Sequence, residues 1–245
     1  MKQKTLNHTV KNHSGSNQTH QSLRCAQEIL SLLYRFYQPK SVIDVGCGDG
    51  AWLLAAESLG SQKLKGLDTN HVKDGMLSSN CIEFSAVDLS QAFDINDQYD
   101  LCISVEVAEH IPSRAARNFV EQLCRASDVV LFSAAIVDQG GDNHINEQWP
   151  SYWAEIFQSH NYECLDVFRA AIWESELVEW WYRQNILLFV NPQTTLLNVD
   201  AVKAEIKPVL NIVHPLNYQR MKWHNEYIAG AGRLIRSLMN LRSPN

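Results

Sequence analysis

The sequence predicts an α/β fold, a doubly wound and mostly parallel sheet with helices on both faces, and three observations carry that expectation. Short β-type runs alternate with helical stretches from residue 41 onward, the pattern of parallel strands joined by crossover helices. A glycine-rich turn, Gly46 to Gly50, follows the first of these runs and opens a helical stretch, an arrangement that lets a backbone approach a ligand closely. With 245 residues and 45% hydrophobic content, the chain has the apolar material for one sizeable core.

Residues 1–19 are Lys, Asn, His, Ser, Gln and Thr with little to bury, so they read as a disordered leader whose His8 and His13, with the adjoining His20, are solvated. Leu23, Ala26, Ile29, Leu30, Leu33 and Phe36 recur at helical spacing, and Pro39 stops the pattern, which predicts a packing helix from Leu23 to Tyr37. Strands are expected at Ser41 to Val45, Leu64 to Leu67, Ile82 to Val87, Leu101 to Val105 and Val129 to Ser133, with helices starting near Ala51, Pro112 and Trp149. A helix from Ser151 to Ser159 leads to strand-like runs at Cys164–Phe168 and Asn185–Val190. Joined through Trp173 to Tyr182, these two runs read as an antiparallel hairpin closing the sheet edge. Beyond Pro192 a short helix (Val199 to Ile206) and a long one (Leu216 to Leu241) are expected, the latter carrying Arg220, Lys222, Arg233, Arg236 and Arg242 against Glu226. The resulting division is a leader (1–19), a main domain with its N-terminal helix (20–191) and a helical extension (192–245).

Composition narrows the function. Lys and Arg number 21 against 27 Asp and Glu, a formal charge of −6, so no broad basic surface points to nucleic acid. No apolar run reaches the roughly 18 to 20 residues that span a bilayer, and no hydrophobic signal segment opens the chain, which reads as a cytoplasmic protein. Cys25, Cys47, Cys81, Cys102, Cys124 and Cys164 form no CxxC pair, which argues against a disulfide framework or a thiolate zinc site.

The most informative segment is Asp44-Val45-Gly46-Cys47-Gly48-Asp49-Gly50-Ala51-Trp52. A dinucleotide site places pyrophosphate at the helix N-terminus and uses G-x-G-x-x-G. Here the third glycine comes one residue early, and Asp44 and Asp49 repel an anion. S-adenosylmethionine carries an ammonium and a sulfonium and no phosphate, so these acids match its charge. Asp68 ends the second strand about 20 residues on, placed to accept from ribose hydroxyls. Asp88 ends the third, placed for the adenine amino group, with the Leu89 backbone N–H toward the ring.

The ordered set resembles the class I S-adenosylmethionine-dependent methyltransferases over roughly residues 40 to 190. Its motifs are the D-x-G-x-G-x-G loop at Asp44 to Gly50, Asp68, the Asp88-Leu89 pair, and Tyr99 to Ser104 followed by Glu106-Val107-Ala108-Glu109-His110-Ile111. The resemblance implies a Rossmann-like sheet of seven strands, one of them antiparallel. It also implies a cofactor site built from Asp44, Gly46, Cys47, Gly48, Gly50, Trp52, Asp68, Asp88, Leu89 and Glu106.

Methyl transfer to a hydroxyl needs a positioned acceptor and a general base or a metal. His144, in the polar loop Asp138 to Trp149, and His110 are the candidate bases. Glu106, Glu109 and His110 stand at i, i+3 and i+4, one face if the chain is helical there. With His144 they resemble the metal ligands of small-RNA 2′-O-methyltransferases, and Glu109-His110 resembles the ubiquinone-pathway O-methyltransferases. That resemblance implies a magnesium or manganese ion on Glu106, Glu109, His110 and His144.

Trp149, Tyr152, Trp153, Trp173, Trp180, Trp181 and Tyr182, clustered with Arg169, Arg183, Gln184 and Asn185, suit a polar cyclic acceptor. The His144-x-Asn146-Glu147-Gln148 and Trp181-Tyr182-Arg183-Gln184-Asn185 segments look similar to methyltransferases of cell-surface carbohydrate clusters. The expected activity is therefore O-methylation of a small polar molecule, a sugar or nucleotide-sugar, with the basic last helix meeting a phosphorylated acceptor or a second copy of the chain. Two rivals are a metal-dependent RNA 2′-O-methyltransferase and a catalytically silent cofactor-binding subunit.

Overall fold

The computed structural model describes residues 14–70, 72, 77–197 and 210–222. Seven strands form one sheet: β1 Ser41–Val45, β2 Lys63–Asp68, β3 Ile82–Ala86, β4 Leu101–Val105, β5 Val129–Ser133, β6 Glu163–Leu165 and β7 Leu187–Val190. Their order is β3-β2-β1-β4-β5-β7-β6. β1 to β5 run parallel, and β7 is antiparallel to both of its neighbours. The expected seven-stranded, mostly parallel sheet is thus observed. The order in which successive strands are added reverses between β1 and β4, the switch point beside which open α/β sheets bind ligands.

Every residue of β4, β5 and β7 is buried, which is why they read as continuous apolar runs without alternation. Helices α1 Ser14–Leu33 and α2 Ala51–Ser58 cover one face, joined by α5 Arg169–Ile172 and α6 Trp180–Asn185. Helices α3 Ala116–Ala126 and α4 Pro150–Ser159 cover the other, where Phe119, Phe132, Trp153, Phe157 and Phe189 interlock. Phe157 stacks on Phe189 at 3.9 Å between ring centroids.

Several boundaries differ from the sequence expectation. Helix α1 starts at Ser14, so residues 14–19 are helical and not a disordered leader. It ends at Leu33 because the next residues tighten into a turn, Phe36 N–H bonding to Leu33 O. Tyr34 and Tyr37 then reach Ser61 Oγ (2.7 Å) and Asp100 O (2.6 Å). The expected antiparallel pair at the sheet edge is observed as β6 with β7, with α5 and α6 standing between the two strands in the chain.

Residues 215–222 are helical. The short helix expected at Val199 to Ile206, and the last helix beyond residue 222 with Arg233, Arg236, Arg242 and Glu226, lie outside the described residues. All six cysteines are unpaired. No helix among the described residues is long and apolar enough to cross a membrane.

Candidate functional site

The carboxyl ends of the parallel strands bring the acidic residues together. After β1 the chain turns through Gly46 and Gly48, both at positive φ (91° and 52°), a region that favours glycine. A Cβ at Gly46 would lie 2.3 Å from Val107 Cγ2, whereas a Cβ at Gly48 would meet nothing within 4 Å. Gly46 is therefore a packing requirement, and the loop is open at Gly48. Asp68, ending β2, fixes that loop: its Oδ2 accepts from Gly48 N–H at 2.7 Å, and Leu67 O accepts from both Gly46 and Cys47 N–H.

Asp44 is 1% exposed, and neither of its carboxylate oxygens has a hydrogen-bond partner among the described residues. Burial, reinforced by Asp68 and Asp49, pushes its pKa well above the usual carboxylate range. A buried acid without a partner is the exception in folded proteins and points to a missing donor. Asp88, beyond β3, is exposed, and its Oδ1 accepts from the Ser90 N–H and hydroxyl, which lower its pKa. Leu89 beside it is buried.

A second group of side chains lies beyond β4 and β5. Glu106 leaves β4 with φ 55°, an uncommon conformation for a side-chain-bearing residue. Its N–H donates to Ser133 O and Oγ, and its Oε1 accepts from Asn185 Nδ2 at 3.3 Å. Because β7 runs antiparallel, Asn185 just before it reaches the same sheet edge as the ends of β4 and β5. A 3₁₀ turn, Ala108–His110, follows. Glu109 is fully buried with both carboxylate oxygens unpartnered among the described residues, and burial, with Glu106 beside it, pushes its pKa far up. His110 is exposed, its Nδ1 3.2 Å from Asn143 O, and partial enclosure of the ring with His144 alongside lowers its pKa.

His144 crosses edge-on to His110 at 4.9 Å between centroids. Its Nδ1 lies 2.8 Å from Glu147 Oε1, which also accepts from Gly140 N–H at 2.6 Å. A carboxylate only accepts, so Nδ1 carries a proton, and in the neutral ring Nε2 is then the nitrogen that keeps its lone pair. Glu109, His110 and His144 each offer a ligating atom within 4.8 Å of the others.

The family model for a methyltransferase domain matches residues 18–186. The chain belongs to that family. No curated protein sequence matches it. Among solved structures, it is similar to a chain of the Haloferax volcanii complex containing the Trm112 methyltransferase activator (13% identity, 74% of this chain and 95% of that one, TM-score 0.53). It is also similar to an O-methyltransferase family protein from Burkholderia thailandensis (13%, 74% and 60%, TM-score 0.52). A third is the magnesium protoporphyrin IX methyltransferase of Synechocystis (16%, 77% and 90%, TM-score 0.50). In family and fold the chain is a class I methyltransferase of the S-adenosylmethionine-dependent kind.

Several of the other expected residues are engaged by the fold itself. Trp52 is buried, edge-on to Tyr182 at 5.5 Å, and works in the core beneath α2. Cys47 is also buried, its thiol raised by that burial. Glu106 lies outside the group of ligating atoms formed by Glu109, His110 and His144, because the chain there turns through a left-handed residue and a 3₁₀ turn, not an α-helix. Arg169, Arg183, Gln184 and Asn185 are buried and do not form a sugar-reading surface. Arg169 binds Asp166 and the Gln184 and Leu210 carbonyls, and Arg183 binds Trp173 O. Gln184 and Asn185 both donate to Gln139 Oε1. Glu147, which the sequence offers only as part of the His144–Gln148 segment, is the partner that the structure gives to His144. Its i+3 spacing from His144 was the available signal.

Proposed function

We propose that this methyltransferase methylates a hydroxyl of a small polar acceptor, a sugar or nucleotide-sugar, with His144 as the general base. The observation that carries the reading is the His144–Glu147 pair, which places the proton of the neutral imidazole on Nδ1 and turns Nε2 into its acceptor nitrogen. A hydroxyl is a weak nucleophile, and a base within hydrogen-bond reach raises its reactivity. Nε2 takes the hydroxyl proton, and the Glu147 carboxylate stabilises the imidazolium that results.

S-adenosylmethionine, when bound, would supply a sulfonium methyl carbon for in-line attack by the acceptor oxygen, the O–C bond forming as the C–S bond breaks and S-adenosylhomocysteine leaves. The open face at Gly48 and the unpartnered Asp44 carboxyl fit a cationic ligand there. The main-chain groups from Gly46 to Gly50, with Asp44, take the methionine end; the remaining lone pairs of Asp68 take the ribose; Asp88 and the Leu89 N–H take the adenine. The Synechocystis enzyme was solved with bound S-adenosylhomocysteine, which supports this cofactor. Exposed Trp149, closing the His144 loop, and half-buried Trp180 offer aromatic surface to a sugar ring. The test is a screen of acceptors scored by S-adenosylhomocysteine release with mass spectrometry of products. His144→Gln is expected to lose at least about a hundredfold in kcat, the scale of general-base catalysis; an undiminished rate would remove the base.

One observation favours a second reading, metal assistance. Glu109, His110 and His144 converge within 4.8 Å, and each imidazole has its Nδ1 engaged, by Asn143 O and Glu147, with Nε2 left as ligand. That is the outer-shell arrangement of metal-binding histidines. Two imidazoles with one carboxylate favour manganese over magnesium, and a bound ion would lower the pKa of a coordinated hydroxyl. Loss of activity in EDTA with recovery on manganese supports this reading, and full activity in chelator leaves the base mechanism alone.

A further inference from the structure

The basic last helix was expected to be an appendage that meets an acidic partner. In the structure its first residues are tied into the interior of the site. Gln184 Oε1 accepts from His214 N–H (2.8 Å) and Asn217 Nδ2 (3.1 Å), while Gln184 Nε2 donates to Gln139 Oε1. From the helix itself, Arg220 Nη1 donates to Gln139 O at 2.7 Å, and its guanidinium lies 5.9 Å from the Trp180 ring centroid.

The carbonyl of Gln139 and the N–H of Gly140 belong to one peptide unit. Arg220 binds its oxygen; its N–H binds Glu147 Oε1, which in turn holds His144 Nδ1. A cation on the carbonyl oxygen polarises the amide and strengthens its N–H as a donor. The chain of contacts therefore runs from guanidinium through a peptide group to carboxylate and imidazole, each group pinned by the next.

We infer that Arg220 is a positioning residue for methyl transfer, reaching from the C-terminal helix through the Gln139–Gly140 peptide to fix Glu147 and, with it, the ring orientation and tautomer of His144. The inference rests on His144 being the base. It assigns the charge of this helix an inward role.

The test is tautomer-sensitive ¹H–¹⁵N NMR of the full chain labelled at histidine, with S-adenosylhomocysteine as the probe ligand and His144 assigned from the signal missing in His144→Gln. Wild-type protein is expected to show the Nδ1–H tautomer. Arg220→Met is expected to show a mixture of tautomers with S-adenosylhomocysteine affinity unchanged within about twofold, whereas Arg220→Lys, which keeps a cationic donor, restores the wild-type pattern. Should Arg220→Met not fold, the uncharged Arg220→Gln carries the same comparison.

With an acceptor in hand, Arg220→Met is expected to lose about tenfold in kcat, the scale seen for outer-shell partners. A wild-type spectrum with Nε2–H, or one that Arg220→Met leaves unchanged, overturns the inference. Turnover that survives His144→Gln removes the base reading instead and leaves the tautomer comparison intact.

Discussion

Asp44 shows what the site costs the fold. Its carboxyl is buried without a partner and keeps its proton to a pH well above the usual carboxylate range, through burial first and then Asp68 and Asp49. The unfolded chain releases that proton at an ordinary pH. Between the two values the folded state binds more protons than the unfolded one, so ligand-free stability falls as pH rises through that window. Asp44→Asn removes the ionisation and is expected to stabilise ligand-free protein at pH 8 by about 1 kcal/mol, roughly 2–4 °C in Tm for a chain of this size. At pH 4 the gain should vanish, and affinity for S-adenosylmethionine should fall at least about tenfold. Melting curves at the two pH values, with calorimetry, check both halves; equal curves at pH 8 would remove the strain account. Asp68 has the opposite balance, since its oxygens already serve Gly48 and Thr69 N–H. Asp68→Ala is expected to weaken cofactor binding by on the order of 2 kcal/mol, about thirtyfold, and unchanged calorimetric affinity would unseat the ribose assignment.

In the proposed mechanism the loop between β5 and α4 carries the acceptor chemistry, and its geometry turns on Gly141. A Cβ there would lie 2.3 Å from His144 Nε2 and 2.4 Å from its Cε1. The ring has little room to yield, because Glu147 holds one side and His110 flanks it. Gly141→Ala is therefore expected to displace the imidazole and lower kcat by about tenfold or more, with Tm nearly unchanged because the residue is exposed. Wild-type turnover in this variant would show that His144 is not positioned as described. The strands on either side were legible in advance for a simple reason. β1, β4 and β5 are short apolar runs at the centre of a parallel sheet, and their observed bounds match those read from the sequence. The acids Asp44, Asp68 and Asp88 were legible from the strand pattern, since each stands at or near the carboxyl end of a strand. The loop was legible only in composition. Glu147 and Gly141 acquire their roles through contacts with His144, and a sequence displays residue types without displaying which of them meet.

The molecule divides into two halves along the switch point. The ends of β1, β2 and β3 hold the glycine loop, Asp68 and Asp88. The ends of β4 and β5 and the residues before β7 hold Glu106, Glu109, His144 and the amides behind them. Among the described residues, 210–222 bond to the second half, through Gln184, Gln139, Trp173, Ser151 and the Arg169 guanidinium, which donates to Leu210 O. This docking was not visible beforehand because polar residues such as Arg169, Gln184 and Asn185 ordinarily face water. Here they are buried and satisfied by one another and by a segment distant in sequence. The division makes a prediction about a chain ended after residue 209. It should still bind S-adenosylmethionine within about threefold, because Asp44, the glycine loop, Asp68, Asp88 and Leu89 lie in the other half. Its stability should drop by about 2 kcal/mol as the acceptor side of Gln184 loses its donors, or about 4–8 °C in Tm. Methyl transfer should fall by more than binding does, because Arg220 no longer holds the Gln139–Gly140 peptide. Calorimetry, melting and turnover on the shortened chain separate these outcomes. A loss of cofactor affinity as large as the loss of turnover would mean that the two halves are not independent and that the C-terminal segment supports the whole sheet edge.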